Sequence, residues 1–241
     1  MTEIFDDLKA EYEQLDAVLA ELTADQWAHP SAAAGWTVSD VVLHLTQSEE
    51  LVAASIAGDE LIRPPGDVDA VADALVAAQR DIAPAALLAR WRAAAFATPG
   101  ALRARPKGAR LSWVATSLSP ATLATTRLAE HWAHAHDITD PLGIAYPDTA
   151  RLRHIAWLGH RTLPYAFEVE GIEGGPVHCE LTAPDGDLWR LGDPAAASAI
   201  TGAAADFCRV GARRLSPADS ALKATGPYAA QALTVLRNYA L

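Results

Sequence analysis

The sequence predicts an all-helical region over residues 1–170 followed by a small α/β domain over residues 171–241. Three observations lead there. Apolar residues recur at helical spacing through the first region, prolines and glycines punctuate it, and beyond Gly171 the spacing gives way to alternation with a hairpin signal. A chain of 241 residues, 51% hydrophobic and 20% charged, has ample length to bury a core.

Taken in order, the first helix spans residues 3–22, where Ile4, Phe5, Leu8, Leu15, Val18, Leu19 and Leu22 form one stripe. A loop with His29, Pro30 and Gly35 leads to a second helix over 37–57, with Thr37 as N-cap and Asp40 completing a capping-box pattern. Pro64, Pro65 and Gly66 break the spacing before a shorter helix over 67–80 and a longer one from Pro84, "AALLARWRAAAFATPGAL". "RARPKGARLSWVATSL" reads as a connection. Ser119 and Pro120 then form the Ncap–N1 pair of a helix ending near Ile138, with Pro141 and Gly143 as its stop. "DTARLRHIAWLGHRTLPYAFEV" reads as one further helix.

In the second domain Val177, Cys179 and Leu181 alternate with polar neighbours, Asp185-Gly186 marks a hairpin turn, and Leu188–Leu191 returns as the partner strand. A helix from Ala195 to about Arg209, weakened at Gly202, the Arg213-Arg214 pair and a last helix from Pro227 to Tyr239 follow.

The net charge of −11 comes from 30 acidic and 19 basic residues, and the basic ones form no stripe able to displace phosphate counterions, which argues against nucleic-acid binding. Cys179 and Cys208 are too few and too far apart for a disulfide framework or a cysteine-rich zinc site, and suit a reducing cytoplasm. No stretch reaches about 18 apolar residues, and the N-terminus lacks the basic flank and apolar run of an export signal. A cytoplasmic protein that is neither exported nor membrane-spanning is expected. There is no glycine-rich phosphate loop or dinucleotide fingerprint, and Ser48, Cys179 and Cys208 have no base at readable spacing, so no protein nucleophile is identified.

The chemistry concentrates in "RLAEHWAHAHDITD", residues 127–140. Residues four apart share a helix face, so Glu130 and His134 project together, with Arg127 and Asp137 close to the same stripe. His136 lies about 200° from His134 and His131 about 60° from it, so the four groups cannot all serve one site. An open metal site generally has three protein ligands, and His44, flanked by Val42, Leu43 and Leu45 in the second helix, is the best third donor. The same pattern also suits a solvated Glu–His pair and a hydrogen-bonded core histidine. Asp137 and Asp40, one turn from His134 and His44, are candidates to orient the imidazoles, or else ordinary helix-end charges. Gln47 and Ser48 lie on the His44 side as candidate cavity residues, and Trp36 and Trp132 are either its walls or core.

"LTADQWAHPSAAAGWTVSDVVLHL" and "SPATLATTRLAEHWAHAHDITDPLG" resemble the two signatures of the mycothiol-dependent maleylpyruvate isomerase family, within the DinB-like helical-bundle superfamily. "ELTAPDGDLWRLG", "ITGAAADFCRVGARR" and "ATGPYAAQALTVL" resemble that family's C-terminal, sterol-carrier-like domain, so the likeness covers nearly the whole chain. It implies a DinB-like four-helix bundle followed by that small α/β domain. It also implies that His44, Glu130 and His134 bind one divalent metal ion, usually Zn2+, although Ni2+, Fe2+ or Mn2+ suit the same ligands. A low-molecular-weight thiol, mycothiol in the family, would add to an activated cis-enoyl acid, allow rotation and leave, giving the trans isomer. Arg213 or Arg214 matches the family's functional arginine, which would meet the anionic substrate; a surface helix end is the alternative. The superfamily also leaves open a thiol S-transferase and a non-catalytic metal- or ligand-binding module, and a monomer or a homodimer.

Overall fold

The computed structural model describes residues 3–59, 68–114 and 116–238. The predicted break at Pro64–Gly66, the start of the third helix at Asp67 and the end of the last helix at Tyr239 lie outside the described residues. Helices dominate the first part of the chain and a small sheet lies towards the C-terminus, as expected. The chain divides into two compact units between Tyr146 and Pro147, not at the change of composition near Glu170.

In the first unit four long helices pack on one another: α1 (Ile4–Leu19), α3 (Val38–Ala57), α5 (Pro84–Arg103) and α6 (Pro120–Leu142). Leu8, Tyr12, Leu15 and Leu19 bury one face of α1; Val38, Val41, Val42, Leu45 and Val52 do the same for α3. The first helix is shorter than its apolar stripe, because a separate turn, α2 (Ala24–Trp27), starts at a capping box between Thr23 and Gln26. At α3 the cap is the predicted one: the Thr37 hydroxyl accepts from Asp40 N–H, while the Asp40 carboxylate accepts from Thr37 N–H at 2.9 Å. A short helix α4 (Val68–Ala77) follows, and the connection before α6 contains a small hairpin, β1 (Leu111–Ser112) with β2 (Ser117–Leu118), that the sequence did not announce.

Helix α6 runs past Pro141 to Leu142 and is closed by Gly143 in the left-handed conformation, φ 65°. Proline lacks the N–H that would bond the carbonyl of Asp137 one turn earlier. That carbonyl instead accepts the N–H of Ala32 at 2.9 Å, so the proline expected to stop the helix ties the loop before α3 to it.

At the centre of this unit the Glu49 carboxylate, fully buried, accepts from Tyr12 OH (2.8 Å), Thr98 Oγ1 (2.6 Å) and Arg127 Nε (2.8 Å). Those donors stand on α1, α5 and α6, so one side chain of α3 joins four helices.

In the second unit α7 (Leu152–Arg161) and α8 (Leu163–Val169) replace the single helix expected there, Pro164 falling in the first turn of α8. They belong with the sheet because α7 packs on α9 (Ala204–Gly211) and on β4 (Leu188–Leu191), and α8 packs on α10 (Ala229–Val235). Strand β3 (Val177–Thr182) pairs with β4 as predicted, Cys179 opposite Leu191, with Gly186 in the turn at φ 91°. The helix expected from Ala195 is instead β5 (Ser198–Ala203) followed by α9. β5 lies between β3, to which it runs parallel, and β6 (Lys223–Thr225), in the order β4-β3-β5-β6, and this pairing overrides the helical propensity of the alanines around it. No described helix is long and apolar enough to cross a membrane.

Removing Glu49 leaves the Arg127 guanidinium buried without its counter-charge. The Glu49→Ala variant is expected to lose about 3–5 kcal/mol of stability in urea unfolding followed by circular dichroism, and a loss below about 1 kcal/mol would contradict this role.

Candidate metal centre

His44 comes from the middle of α3, and Glu130 and His134 share one face of α6. His44 Nε2 lies 2.9 Å from Glu130 Oε1, His134 Nε2 lies 3.4 Å from the same oxygen, and all three ligand atoms fall within 4.8 Å of one another. The structure brings together the three residues that spacing singled out.

Their surroundings set their chemistry. Burial alone would raise Glu130, but hydrogen bonds with His134 and His44 and the positive neighbours hold its carboxyl well below the usual range. Burial pushes His44 down despite its contact with Glu130. Burial would lower His134 too, but Asp137 and Glu130 outweigh it and raise it.

Asp137 Oδ2 lies 2.8 Å from His134 Nδ1, the place expected for an orienting carboxylate. Asp40 does something else: it caps Thr37 and accepts from Arg80 Nε at 3.0 Å, so its described partners do not include His44. The Trp36 ring lies 5.1 Å from the His44 ring and nearly parallel to that of His134 at 6.3 Å, and its indole N–H donates to Asp73 of α4 at 2.7 Å. Trp132 packs instead on His136, at 5.1 Å.

His131 is fully buried with both ring nitrogens engaged. Trp91 Nε1–H donates to its Nε2 at 3.3 Å, which leaves its Nδ1–H to donate to the Arg127 carbonyl at 3.0 Å. Burial pushes its pKa down to about 4, so it is a neutral core residue with no lone pair to offer a metal. His136 lies within reach of Asp140, with Nδ1 and Oδ1 3.2 Å apart, on the other side of α6.

Gln47 donates to the Leu75 carbonyl at 2.9 Å, and Ser48 accepts from Arg127 Nη2 at 2.6 Å while donating to the Leu45 carbonyl. Arg213 and Arg214 belong to the second unit, exposed just beyond α9, where Arg213 takes a left-handed φ of 61°. The N–H groups of Arg213 and Arg214 bond the carbonyls of Val210 and Arg209, a helix-end motif that usually places glycine where Arg213 stands. Sequence reasoning passed over Glu49, Tyr12 and Thr98 and placed Arg127 only near the Glu130 stripe. The available signal was the position of Glu49, which falls on the apolar stripe of α3 between Leu45 and Val52.

The profile of the mycothiol maleylpyruvate isomerase N-terminal domain matches residues 8–139. The chain belongs to this family. Uncharacterized proteins from two strains of Mycobacterium tuberculosis are 38% identical over 245 residues, spanning 97% of this chain and 94% of theirs. Crystal structures of the mycothiol-dependent maleylpyruvate isomerase and of one of its mutants superpose with TM-scores of 0.61 and 0.60 at 15% identity, covering 95% of this chain and all of theirs. That likeness is one of fold. The matched segment, residues 8–139, contains His44, Glu130, His134 and Asp137.

The chain's own thiols are poor nucleophiles. Both are buried, and burial pushes Cys179 up to about 12 and Cys208 well above its usual value. Titration with a chromogenic disulfide reagent is expected to detect no reactive thiol in the native protein and both after denaturation; rapid native reaction would restore a cysteine nucleophile to consideration.

Proposed function

We propose that this chain is a mycothiol-dependent isomerase with a DinB-like bundle, in which His44, Glu130 and His134 hold one divalent metal ion, zinc by the family likeness and with a donor set that suits it. The observation that carries the reading is the convergence of three ligand atoms from α3 and α6 within 4.8 Å. Ligands of a tetrahedral zinc, each about 2.0–2.1 Å from the ion, stand about 3.3 Å apart. The separations of 2.9 and 3.4 Å to Glu130 fit that requirement. Bound there, such an ion supplies a Lewis acid that keeps a thiol as thiolate and stabilises an enolate.

The protein's own groups prepare the centre. Asp137, accepting a hydrogen bond from the Nδ1–H of His134, turns the Nε2 lone pair towards Glu130 and His44. Trp36 stands against both imidazoles as an apolar wall on one side of the centre. With His131 committed to Trp91 and Arg127, the cluster has three donors among the described residues, which favours an open, catalytic position over a closed structural one. Gln47 and Ser48 already have protein partners; the family likeness keeps Arg213 or Arg214 as the candidate for an anionic substrate group. A thiol S-transferase would use the same centre and release the adduct with its sulfur. The 15% identity to the isomerase structures favours keeping that second reading in the assay.

Protein purified without added metal should carry about one ion per chain, and changing His44, Glu130 and His134 together to Ala should remove it. Retention of the ion by the triple variant would overturn the ligand set. Incubation with mycothiol and an activated cis-enoyl acid should yield the trans isomer; a stable adduct would instead indicate transfer, and no turnover across a panel of thiols and acceptors a binding module. Asp137→Ala should weaken metal binding about 10–100-fold. Unchanged affinity would remove Asp137 from the site.

A further inference from the structure

Helices α3 and α6 meet at two levels. At one, His44 faces Glu130. One turn away on each helix, Ser48 and Glu49 face Arg127, whose Nη2 and Nε donate to the Ser48 hydroxyl at 2.6 Å and to the Glu49 carboxylate at 2.8 Å. Arg127 and Glu49 are 4% and 0% exposed along their side chains, so the pair is fully desolvated. The Trp113 ring stands 5.6 Å from the guanidinium carbon.

A buried ion pair is weak evidence of stabilisation, because apolar residues of similar volume usually hold a core equally well. What the pair does supply is direction. A guanidinium fork that meets a carboxylate and a hydroxyl on one neighbouring helix tolerates little sliding or rotation, whereas apolar packing tolerates more. Sliding by a single turn would move His44 about 5.4 Å along α6, and a metal centre tolerates only about 0.5 Å.

We infer that Arg127 is a positioning residue of the metal centre: through Ser48 and Glu49 it locks the register of α3 against α6, and thereby sets His44 opposite Glu130 and His134. Nothing in its role requires contact with the metal or the substrate. Tyr12 and Thr98, bonding the same Glu49 carboxylate, hold the lock from α1 and α5. The inference rests on the metal-site reading above, and its test separates the two.

Cobalt(II) serves as the probe, because its visible spectrum reports coordination geometry and its titration reports affinity. The unmutated full-length chain should bind cobalt(II), and His44→Ala should abolish binding; a chain that binds none would sink the metal-site reading, and this inference with it. The double variant E49Q/R127M removes both charges together and so leaves none buried alone. It should retain the native circular dichroism spectrum while its cobalt(II) dissociation constant rises at least tenfold and the visible bands shift. Native affinity and an unchanged spectrum in that folded variant would overturn the lock. Should it fail to fold, S48A decides, since it removes one arm of the fork without disturbing charge. S48A should weaken cobalt(II) binding at least threefold with cooperative unfolding preserved, and native affinity would overturn the inference. Chain stability alone would predict a lower unfolding midpoint with unaltered affinity in the folded protein.

Discussion

The Glu49 carboxylate is the constraint on which the first unit depends. A buried carboxylate needs hydrogen bonds on both oxygens and a nearby positive charge, and here these come from Tyr12, Thr98 and Arg127 on three other helices. Apolar faces bring the helices together, but they leave rotation and sliding loosely defined. One charged group that must find three partners narrows the arrangements sharply. His131 completes the surroundings, with its Nδ1 3.7 Å from Glu49, but burial keeps it neutral.

The metal centre lies at the edge of this polar cluster, and a second constraint supports it from the opposite end of α6. Pro141 frees the Asp137 carbonyl for Ala32, while the Asp137 side chain holds His134. A single residue thus connects a candidate ligand to the loop that carries Trp36, whose ring lies beside the two imidazoles. The loop is held from the other side through Asp73, which accepts the Trp36 indole N–H, and through Arg80, which donates to the Gly35 carbonyl at 3.2 Å. The charges around the centre therefore hold its cover as well as its ligands.

Much of this could be read from the residues alone, for physical reasons that differ by element. Thr37 with Asp40 and Ser119 with Pro120 announce helix starts because capping is local. Glu130 and His134 announce a shared face because the helical period is local too. His44 stands out because an imidazole amid valines and leucines needs a partner. Glu49 is harder to read: its neighbour Glu50 is an ordinary charged residue that pairs with Arg90, and the one local difference is that Glu49 falls on the apolar stripe of α3. β5, set between alanine-rich stretches, reads as helix until β3 and β6 are placed beside it. The compact units part at Tyr146–Pro147 and not near Glu170, because composition marks where the sheet begins, whereas α7 and α8 join the second unit through their packing.

The most direct measurement is a crystal structure of the zinc-loaded protein with anomalous data collected at the zinc edge. The account predicts one ion within about 2.0–2.2 Å of His44 Nε2, His134 Nε2 and a Glu130 oxygen, with a water or thiol in the remaining position. An ion bound elsewhere, or one closed by a fourth protein ligand, would contradict it.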